Sequence, residues 1–208
     1  VGDTGTSTPA FVIAGSGNVG IGTAGPSELL EVEKTTAGTA GRIRIEHTDN
    51  TDSASNAELV LRVGGASGGD PVIHLDAVAK DWALGIDNSD SDKFKISPNS
   101  AIDSTPALTI QTDGNVGIGG SPTNPLHIFN SSSLEGGMIY LQQSSTGDSN
   151  ITFNIAGVTA WSAGIDNSDS DKFKIVEGGN LTGSAGITIT TAGSVGIGDA
   201  SPEGVLDV

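Results

Sequence analysis

The prediction of the fold rests on the stretch Gly17-Asn18-Val19-Gly20-Ile21-Gly22. It returns as Gly-Asn-Val-Gly-Ile-Gly at residues 114–119 and as Gly-Ser-Val-Gly-Ile-Gly at residues 193–198. Such a motif, copied three times along the chain, is an internal repeat. In a strand its valine and isoleucine share one face, and its last two glycines lie on the other. Because a strand glycine indicates a positive φ or a close backbone approach, we predict that the apolar face points into the module and the glycine face contacts a neighbouring chain.

Short alternating runs flank each copy of the motif. Residues 7–13, 104–110 and 186–189 lead into the copies, are rich in β-branched residues and predict strands. A turn follows each of them, so the motif is predicted to be the second strand of a hairpin. Behind the motif, a proline turn and then residues 30–32, 126–128 or 206–208 predict a further strand. Residues 26–34 alone also fit a helix with proline at its first position, but the sister copies would form poor helices.

Two further hairpins are predicted between the motifs. The first joins residues 42–46 to residues 58–63, and its counterpart joins residues 138–141 to residues 151–155. The first copy then carries an insertion of 17 residues, 64–80, with an extra strand at residues 72–75.

The closing element is copied most faithfully, since residues 85–96 are identical to residues 164–175. Trp82, Leu84 and Ile86 share one face of a strand, with Lys93 and Lys95 pointing the other way in the next strand. We predict a hairpin whose apolar face is buried. Trp82 and Trp161 are predicted to be core residues, with sugar-stacking platforms as the alternative.

These patterns predict an all-β chain, because no segment has a sustained helical period. Residues 1–16 end a preceding repeat, and residues 17–113 form a module with the 17-residue insertion. Residues 114–192 form a second module, and residues 193–208 start a third. We expect the chain to be a piece of a longer polypeptide. Few large side chains are available for a core, and single modules would leave strand edges open. A homotrimer that closes these edges is therefore the expected assembly.

Composition restricts the classes of function. The formal net charge is −16, from 9 basic and 25 acidic residues, which argues against binding to nucleic acid or anionic membranes. Cysteine is absent, so disulfides and thiolate metal sites are excluded. No apolar run approaches the roughly 20 residues that a membrane span requires.

Two acidic loops are the only candidates for a metal site. Asp87, Asp90 and Asp92 lie in the first loop, and Asp166, Asp169 and Asp171 lie in its copy. The spacing of Asn88, Asp90 and Asp92 resembles the start of a calcium loop, but lysine stands where glycine belongs and the closing glutamate is missing. We therefore assign no metal, cofactor or catalytic residue. The unmatched histidines, His47, His74 and His127, are predicted to be surface or strand residues.

The motif, followed by Ser-Pro and then Leu-x-Val or Leu-x-Ile, resembles the repeat of bacteriophage tail fibres and related viral fibre proteins. Residues 114–128 and 193–208 fit this pattern, with Ser194 in place of asparagine, whereas Gly25-Pro26 replaces Ser-Pro in the first copy. In such proteins the repeat often lies upstream of an intramolecular chaperone domain. The resemblance covers the whole chain and implies an elongated, intertwined homotrimeric fibre of short antiparallel strands and hairpins.

The resemblance also implies a function and a location. It implies an extracellular, non-enzymatic shaft of a virion tail fibre that serves attachment to a host cell. Its partners would be copies of itself, other fibre or baseplate segments and a host surface glycan. Two alternatives stay open: a glycan-binding or polysaccharide-depolymerising receptor module, and a cellular surface adhesin.

Overall fold

The computed structural model describes residues 10–34, 41–48, 51–65, 68–103, 105–130, 139–182 and 185–208. The predicted all-β class is confirmed: the helical elements among these residues are two 3₁₀ turns, Asn88–Asp90 and Asn167–Asp169. None of the described helical segments is long and apolar enough to cross a membrane. The strands are β1 Val12–Ile13, β2 Val19–Ile21, β3 Leu30–Val32, β4 Val72–Asp76, β5 Asp81–Asp87, β6 Lys93–Ser97, β7 Leu108–Ile110, β8 Val116–Ile118, β9 Leu126–Ile128, β10 Ser149–Ile155, β11 Thr159–Asp166, β12 Lys172–Glu177, β13 Ala185–Ile189, β14 Val195–Ile197 and β15 Leu206–Asp207.

The repeated motif has the same topology in all three copies. Its strands β2, β8 and β14 pair antiparallel with the lead-in strands β1, β7 and β13. They also pair in parallel with the strands that follow the proline turn, β3, β9 and β15. The predicted hairpin and the predicted strand after the proline turn are therefore both present. The parallel crossover is short, because only residues 119–125 connect β8 to β9, whereas a parallel connection usually takes a dozen residues or more.

The strands form one three-stranded and two six-stranded sheets. Strands β1–β3 form the first, and β4–β9 and β10–β15 form the other two, each in chain order. The two six-stranded sheets correspond position by position. Gly85 pairs with Lys95 in β5 and β6, and Gly164 pairs with Lys174 in β11 and β12. Each long sheet thus ends on a glycine motif and the strand that follows it.

The predicted hairpins between the motifs are wrong. Residues 42–46 and 58–63 belong to no strand, and neither do residues 139–141, while Met138 lies outside the described residues. Residues 151–155 do form a strand, within β10, but it pairs with β11 through a three-residue turn. That short connection closes with little loss of chain entropy. Strand β11 is therefore favoured as the partner of β10 over the predicted partner, residues 138–141, which lies further away along the chain.

The extra strand expected at residues 72–75 is β4, and it is the counterpart of β10. Ile73 lies opposite Leu84 in one sheet, as Ile151 lies opposite Ala163 in the other. The length difference between the repeats therefore lies ahead of β4, where residues 33–71 stand in place of residues 129–148.

Candidate assembly surface

The glycine face of the motif is closed by the chain itself. A Cβ on Gly20 would lie 2.7 Å from the carbonyl oxygen of Thr23. A Cβ on Gly117 would meet the carbonyl oxygen of Gly120, and one on Gly196 would meet that of Asp199. The proline turn therefore folds back onto the glycine face of the strand. At these three glycines the structure does not support the prediction that this face contacts a neighbouring chain, because the turn of the same chain already occupies the space of a side chain.

The apolar side of the motif is the open one. Ile21, Ile118 and Ile197 are 42%, 44% and 48% exposed. The prediction that the valine and isoleucine face the module interior is therefore also wrong in the single chain. The two faces are exchanged relative to the expectation, because the turn covers the glycines and nothing among the described residues buries the isoleucines.

This open side continues across each six-stranded sheet. In β4–β9 the alternation is strict, so every charged side chain of these strands lies on the opposite face. None of the apolar side chains on the open face is fully buried. We call this set the apolar face; in β4–β9 it consists of Ile73, Leu75, Trp82, Leu84, Ile86, Phe94, Ile96, Leu108, Ile110, Val116, Ile118, Leu126 and Ile128.

The other sheets present corresponding apolar faces. In β10–β15 the face consists of Ile151, Phe153, Ile155, Trp161, Ala163, Ile165, Phe173, Ile175, Ile187, Ile189, Val195, Ile197 and Leu206. In β1–β3 it includes Ile13, Val19, Ile21, Leu30 and Val32. Contiguous exposed apolar surface of this kind is rare on soluble monomers and is typical of interaction sites.

The two tryptophans belong to the apolar face. Trp82 and Trp161 are 42% and 43% exposed, so their predicted burial in the core of the module is wrong for the single chain. Their predicted strand neighbours do share their face, since Leu84 and Ile86 alternate with buried Ala83 and Gly85. The sequence pattern was sufficient to group these side chains, but not to show which face is covered.

The buried interior lies on the opposite, small and polar face. Ser97, Thr109, Ser162 and Thr188 are fully buried there. Loops after β6 and β12 cover this face and insert Ile102 and Leu181, which are buried as well. The Ser162 hydroxyl donates to the carbonyl of Gly178 at 2.8 Å. Each six-stranded sheet therefore has one face closed by its own loops and an apolar face whose side chains are at most half-buried.

An ion-pair cluster lies within that buried face. Asp87 Oδ1 accepts the backbone N–H groups of Ser89 and Asp90, each at 3.0 Å, and so caps the 3₁₀ turn. Lys95 Nζ donates to Asp87 Oδ2 at 2.6 Å and also lies 2.7 Å from Asp90 Oδ2. Lys93 Nζ donates to Asp90 Oδ1 at 2.7 Å. The negative charges of two carboxylates are thus neutralised by the positive charges of two ammonium groups.

The second repeat contains the same cluster. Lys174 Nζ lies 2.7 Å from Asp166 Oδ2 and 2.6 Å from Asp169 Oδ2. Lys172 Nζ lies 2.8 Å from Asp169 Oδ1. Both lysines that reach the buried aspartate pair with glycine in the neighbouring strand. A Cβ on that glycine would meet the carbonyl oxygen of Pro71 in the first repeat and of Ser149 in the second, so the close backbone approach requires glycine there.

The cluster gives the acidic loops a structural role. Asp90 and Asp169, which the calcium pattern would need as ligands, are neutralised by lysine. Asp92 and Asp171 adopt positive φ values of 57° and 58° as part of the turn. Among the described residues, no group of three or more His, Asp or Glu side chains could hold a metal ion. The sequence signal for the cluster is the exact copying of both the aspartates and the lysines in residues 85–96 and 164–175.

The cluster makes stability depend on pH at the acid end. Burial raises the pKa of Asp87, but hydrogen bonds from Lys95 and Ser89 outweigh burial and hold that pKa below its ordinary value. Hydrogen bonds from Lys93 and then Lys95 lower the pKa of Asp90. Asp166 and Asp169 are shifted in the same direction. A depressed carboxyl pKa contributes stability that is complete above the unfolded value, about 3.9, and is lost below it.

We therefore expect the melting temperature to be steady from pH 7 to pH 5 and to fall as the pH drops through 4 and below. Thermal melts followed by circular dichroism between pH 7 and pH 2.5 measure this. The matched control carries Asp87→Asn, Lys95→Met, Asp166→Asn and Lys174→Met, which remove both buried pairs, and its melting temperature should decline less over the same range. An equal decline in both proteins would show that the acid sensitivity arises elsewhere.

The predicted surface or strand positions of the histidines are confirmed, since His74 lies in β4, His127 lies in β9 and His47 is exposed. Neither a protein-family model nor a curated protein sequence matches the chain.

Proposed function

We propose that the chain is a structural segment of an elongated homotrimeric fibre, a shaft that serves attachment of a virion to its host cell. The observation that carries the proposal is the apolar face, which recurs in all three sheets and whose side chains are exposed or only half-buried. Leu59 and Leu61 line a pocket with part of it in β4–β6, and this pocket does not include the apolar side chains of β7–β9. A soluble chain with a net charge of −16 needs a partner for such a surface, because leaving it in water costs free energy in proportion to its area.

A second copy of the same chain is the partner that fits the repeat. The apolar face occurs once per sheet. A partner with a different sequence would therefore need apolar surfaces that repeat along its chain as the sheets do along this one. A copy of this chain has that spacing automatically, and packing like against like is the usual basis of symmetric oligomers. Three copies would turn their apolar faces towards a common axis and leave the loop-covered faces of the sheets on the outside.

The remaining parts of the proposal follow from this architecture and from the resemblance to viral fibres. The role is mechanical and adhesive rather than enzymatic, and the location is the virion outside the cell. Other fibre or baseplate segments would continue the shaft at its ends. The acidic surface would keep the fibres from associating sideways, since like charges repel.

A receptor module that binds a host glycan is the second candidate. It is favoured by the exposure of Trp82 and Trp161, because an open tryptophan face can stack on a sugar ring. The two candidates differ in what covers these side chains. In the fibre, tryptophan fluorescence should be that of a buried indole and should not respond to host polysaccharide, whereas in a receptor module added polysaccharide should change it.

The mass and shape of the particles test the fibre proposal. Light scattering should give about three times the chain mass of 20.7 kDa, and negative-stain micrographs should show particles much longer than wide. The double variant Ile118→Asp, Ile197→Asp places charge on the apolar face and should reduce the mass to that of one chain. The double variant Thr112→Asp, Thr191→Asp places the same charges in exposed turns of the same two sheets, and as the matched control it should leave the mass unchanged. A wild-type mass of one chain would refute the proposal.

A further inference from the structure

Strand β10 forms an open edge of its sheet. It is first in the order β10-β11-β12-β13-β14-β15, so within the described part of the chain it has a strand partner on one side only. All five residues from Ile151 to Ile155 are exposed. Its sequence, Ser-Asn-Ile-Thr-Phe-Asn-Ile, contains no charge and no proline over seven residues. An edge without these protections pairs readily with another strand.

The equivalent edge of the other sheet is protected. Strand β4 is five residues long, begins directly after Pro71 and carries His74 and Asp76. Short length, an adjacent proline and charge are the features by which proteins prevent an edge from pairing. The chain therefore blocks one edge and leaves its counterpart free, although the two strands occupy the same place in otherwise matching sheets.

A strand-like segment without a strand partner lies beside the free edge. Residues 139–142, Ile-Tyr-Leu-Gln, belong to no ladder, and Ile139, Tyr140 and Leu141 are 57%, 81% and 48% exposed. The segment is held near β10 by a side chain, because the Ser149 hydroxyl donates to the carbonyl of Leu141 at 3.0 Å. A cleft of about 400 Å³ between residues 140–143 and residues 148–150 separates the two. β-propensity is high in the segment, but its backbone is not paired.

We propose that β10 receives residues 139–142 of a neighbouring copy as a seventh strand, so that the copies exchange this segment through the loop at residues 143–148. The inference deepens the proposed fibre by naming one contact between its chains, and it rests on that proposal. Pairing in trans would satisfy the outer backbone groups of β10 and would bury Ile139 and Leu141 along the apolar face. Exchange of an identical element is an easy route to association when a hinge loop joins the element to its sheet.

The register of the added strand follows from the Ser149 contact. That hydrogen bond places Leu141 beside Ser149, so an antiparallel strand would place Ile139 opposite Ile151. Directly opposite residues in adjacent strands have Cβ atoms about 4.5–5.5 Å apart, close enough for a disulfide after a small adjustment. Because the natural chain has no cysteine, an introduced pair has no competing thiol.

The experiment is mild oxidation of the assembled double variant Ile139→Cys, Ile151→Cys, followed by denaturing electrophoresis without reductant. We expect bands of two or more linked chains. The matched control is Ile139→Cys, Ile73→Cys, because Ile73 holds in the protected strand β4 the place that Ile151 holds in β10. It should stay at the position of one chain.

Each other result overturns the exchange. Oxidised cysteines with a single-chain band would mean that the segment pairs with its own β10. Free thiols after oxidation, or equal linking in the control, would mean that the segment is not the partner of this edge. If the variants do not fold, hydrogen exchange on the natural oligomer decides, since residues 139–142 must be protected if they form a strand. A trimer by light scattering without trans linking would refute the exchange and leave the fibre proposal standing.

Discussion

Replacing Lys95 by methionine should lower the free energy of unfolding by about 3–5 kcal/mol, the usual cost of removing one partner of a buried ion pair. Lys95 and Asp87 have side chains that are 4% and 1% exposed, so the variant would leave the Asp87 carboxylate buried without its cation. Methionine keeps the apolar stem and most of the volume of lysine, and the loss would therefore report the charge rather than a cavity. Urea denaturation followed by circular dichroism measures the difference, and Lys174→Met in the second repeat should give the same result.

Two controls separate the buried pair from general effects of charge. Lys93→Met removes the lysine that pairs with Asp90 at the more exposed end of the cluster, and it should cost about 1 kcal/mol or less. The double variant Asp87→Asn, Lys95→Met removes both members of the buried pair and should recover much of the loss. If Lys95→Met and Lys93→Met lowered the free energy of unfolding by equally small amounts, Asp87 would have to be hydrated in solution. The buried ion pair would then not contribute about 3–5 kcal/mol to stability.

The sequence was a sufficient guide to the strands around the motif. The alternation of Val19 and Ile21, the β-branched lead-in and the proline turn each specify local geometry, and local geometry decides short hairpins. The exact repetition of residues 85–96 likewise predicted two matching hairpins, and both are present in β5–β6 and β11–β12. Three copies of one pattern also allowed the correct choice between a helix and a strand at residues 30–32.

The pairing of the more distant strands could not be predicted in the same way. Residues 58–63 and residues 72–75 both alternate, and only the length of the turn to β5 determines which of them becomes the edge strand. The same holds for residues 139–141. Their sequence favours a strand, but turn and hairpin patterns identify only partners that are close in sequence. A strand pattern shows that a segment can pair, and it does not show with what.

The orientation of the faces was the main error, and its cause is physical. Period-two alternation identifies the side chains that share a face, and the usual assumption is that the apolar set is covered. Here the loops after β6 and β12 and the proline turns cover the small and polar set instead. The apolar set stays at most half-buried in the single chain, and in the proposed assembly another chain would cover it. The sequence of one chain does not show whether an apolar face is buried within that chain or between chains.

Replacing Gly117 by valine should disrupt the fold of the single chain, with a loss of about 3 kcal/mol, the upper part of the usual range for overpacking. Its Cβ would meet the carbonyl oxygen of Gly120 and would lie 2.9 Å from Pro122 Cδ. Both atoms belong to the turn that returns the chain to β9, so relief of the clash requires the backbone of the turn to move. Pairing of β8 with β9 should weaken first, because that turn joins them.

Two comparisons show whether this argument or contact with a neighbouring chain explains the need for glycine. Asn115→Ser should be mild, because the third copy of the motif already carries serine there. Gly25→Val adds the same side chain at a position with nothing within 4 Å and no positive φ, and it should also be mild. The decisive measurement is the melting temperature at concentrations low enough for the proposed oligomer to dissociate, compared with concentrations at which it forms. If Gly117→Val lowered it only in the oligomer, the glycine face would be an interface between chains. A loss of the same size in the dissociated chain would show that the turn of the same chain requires the glycine.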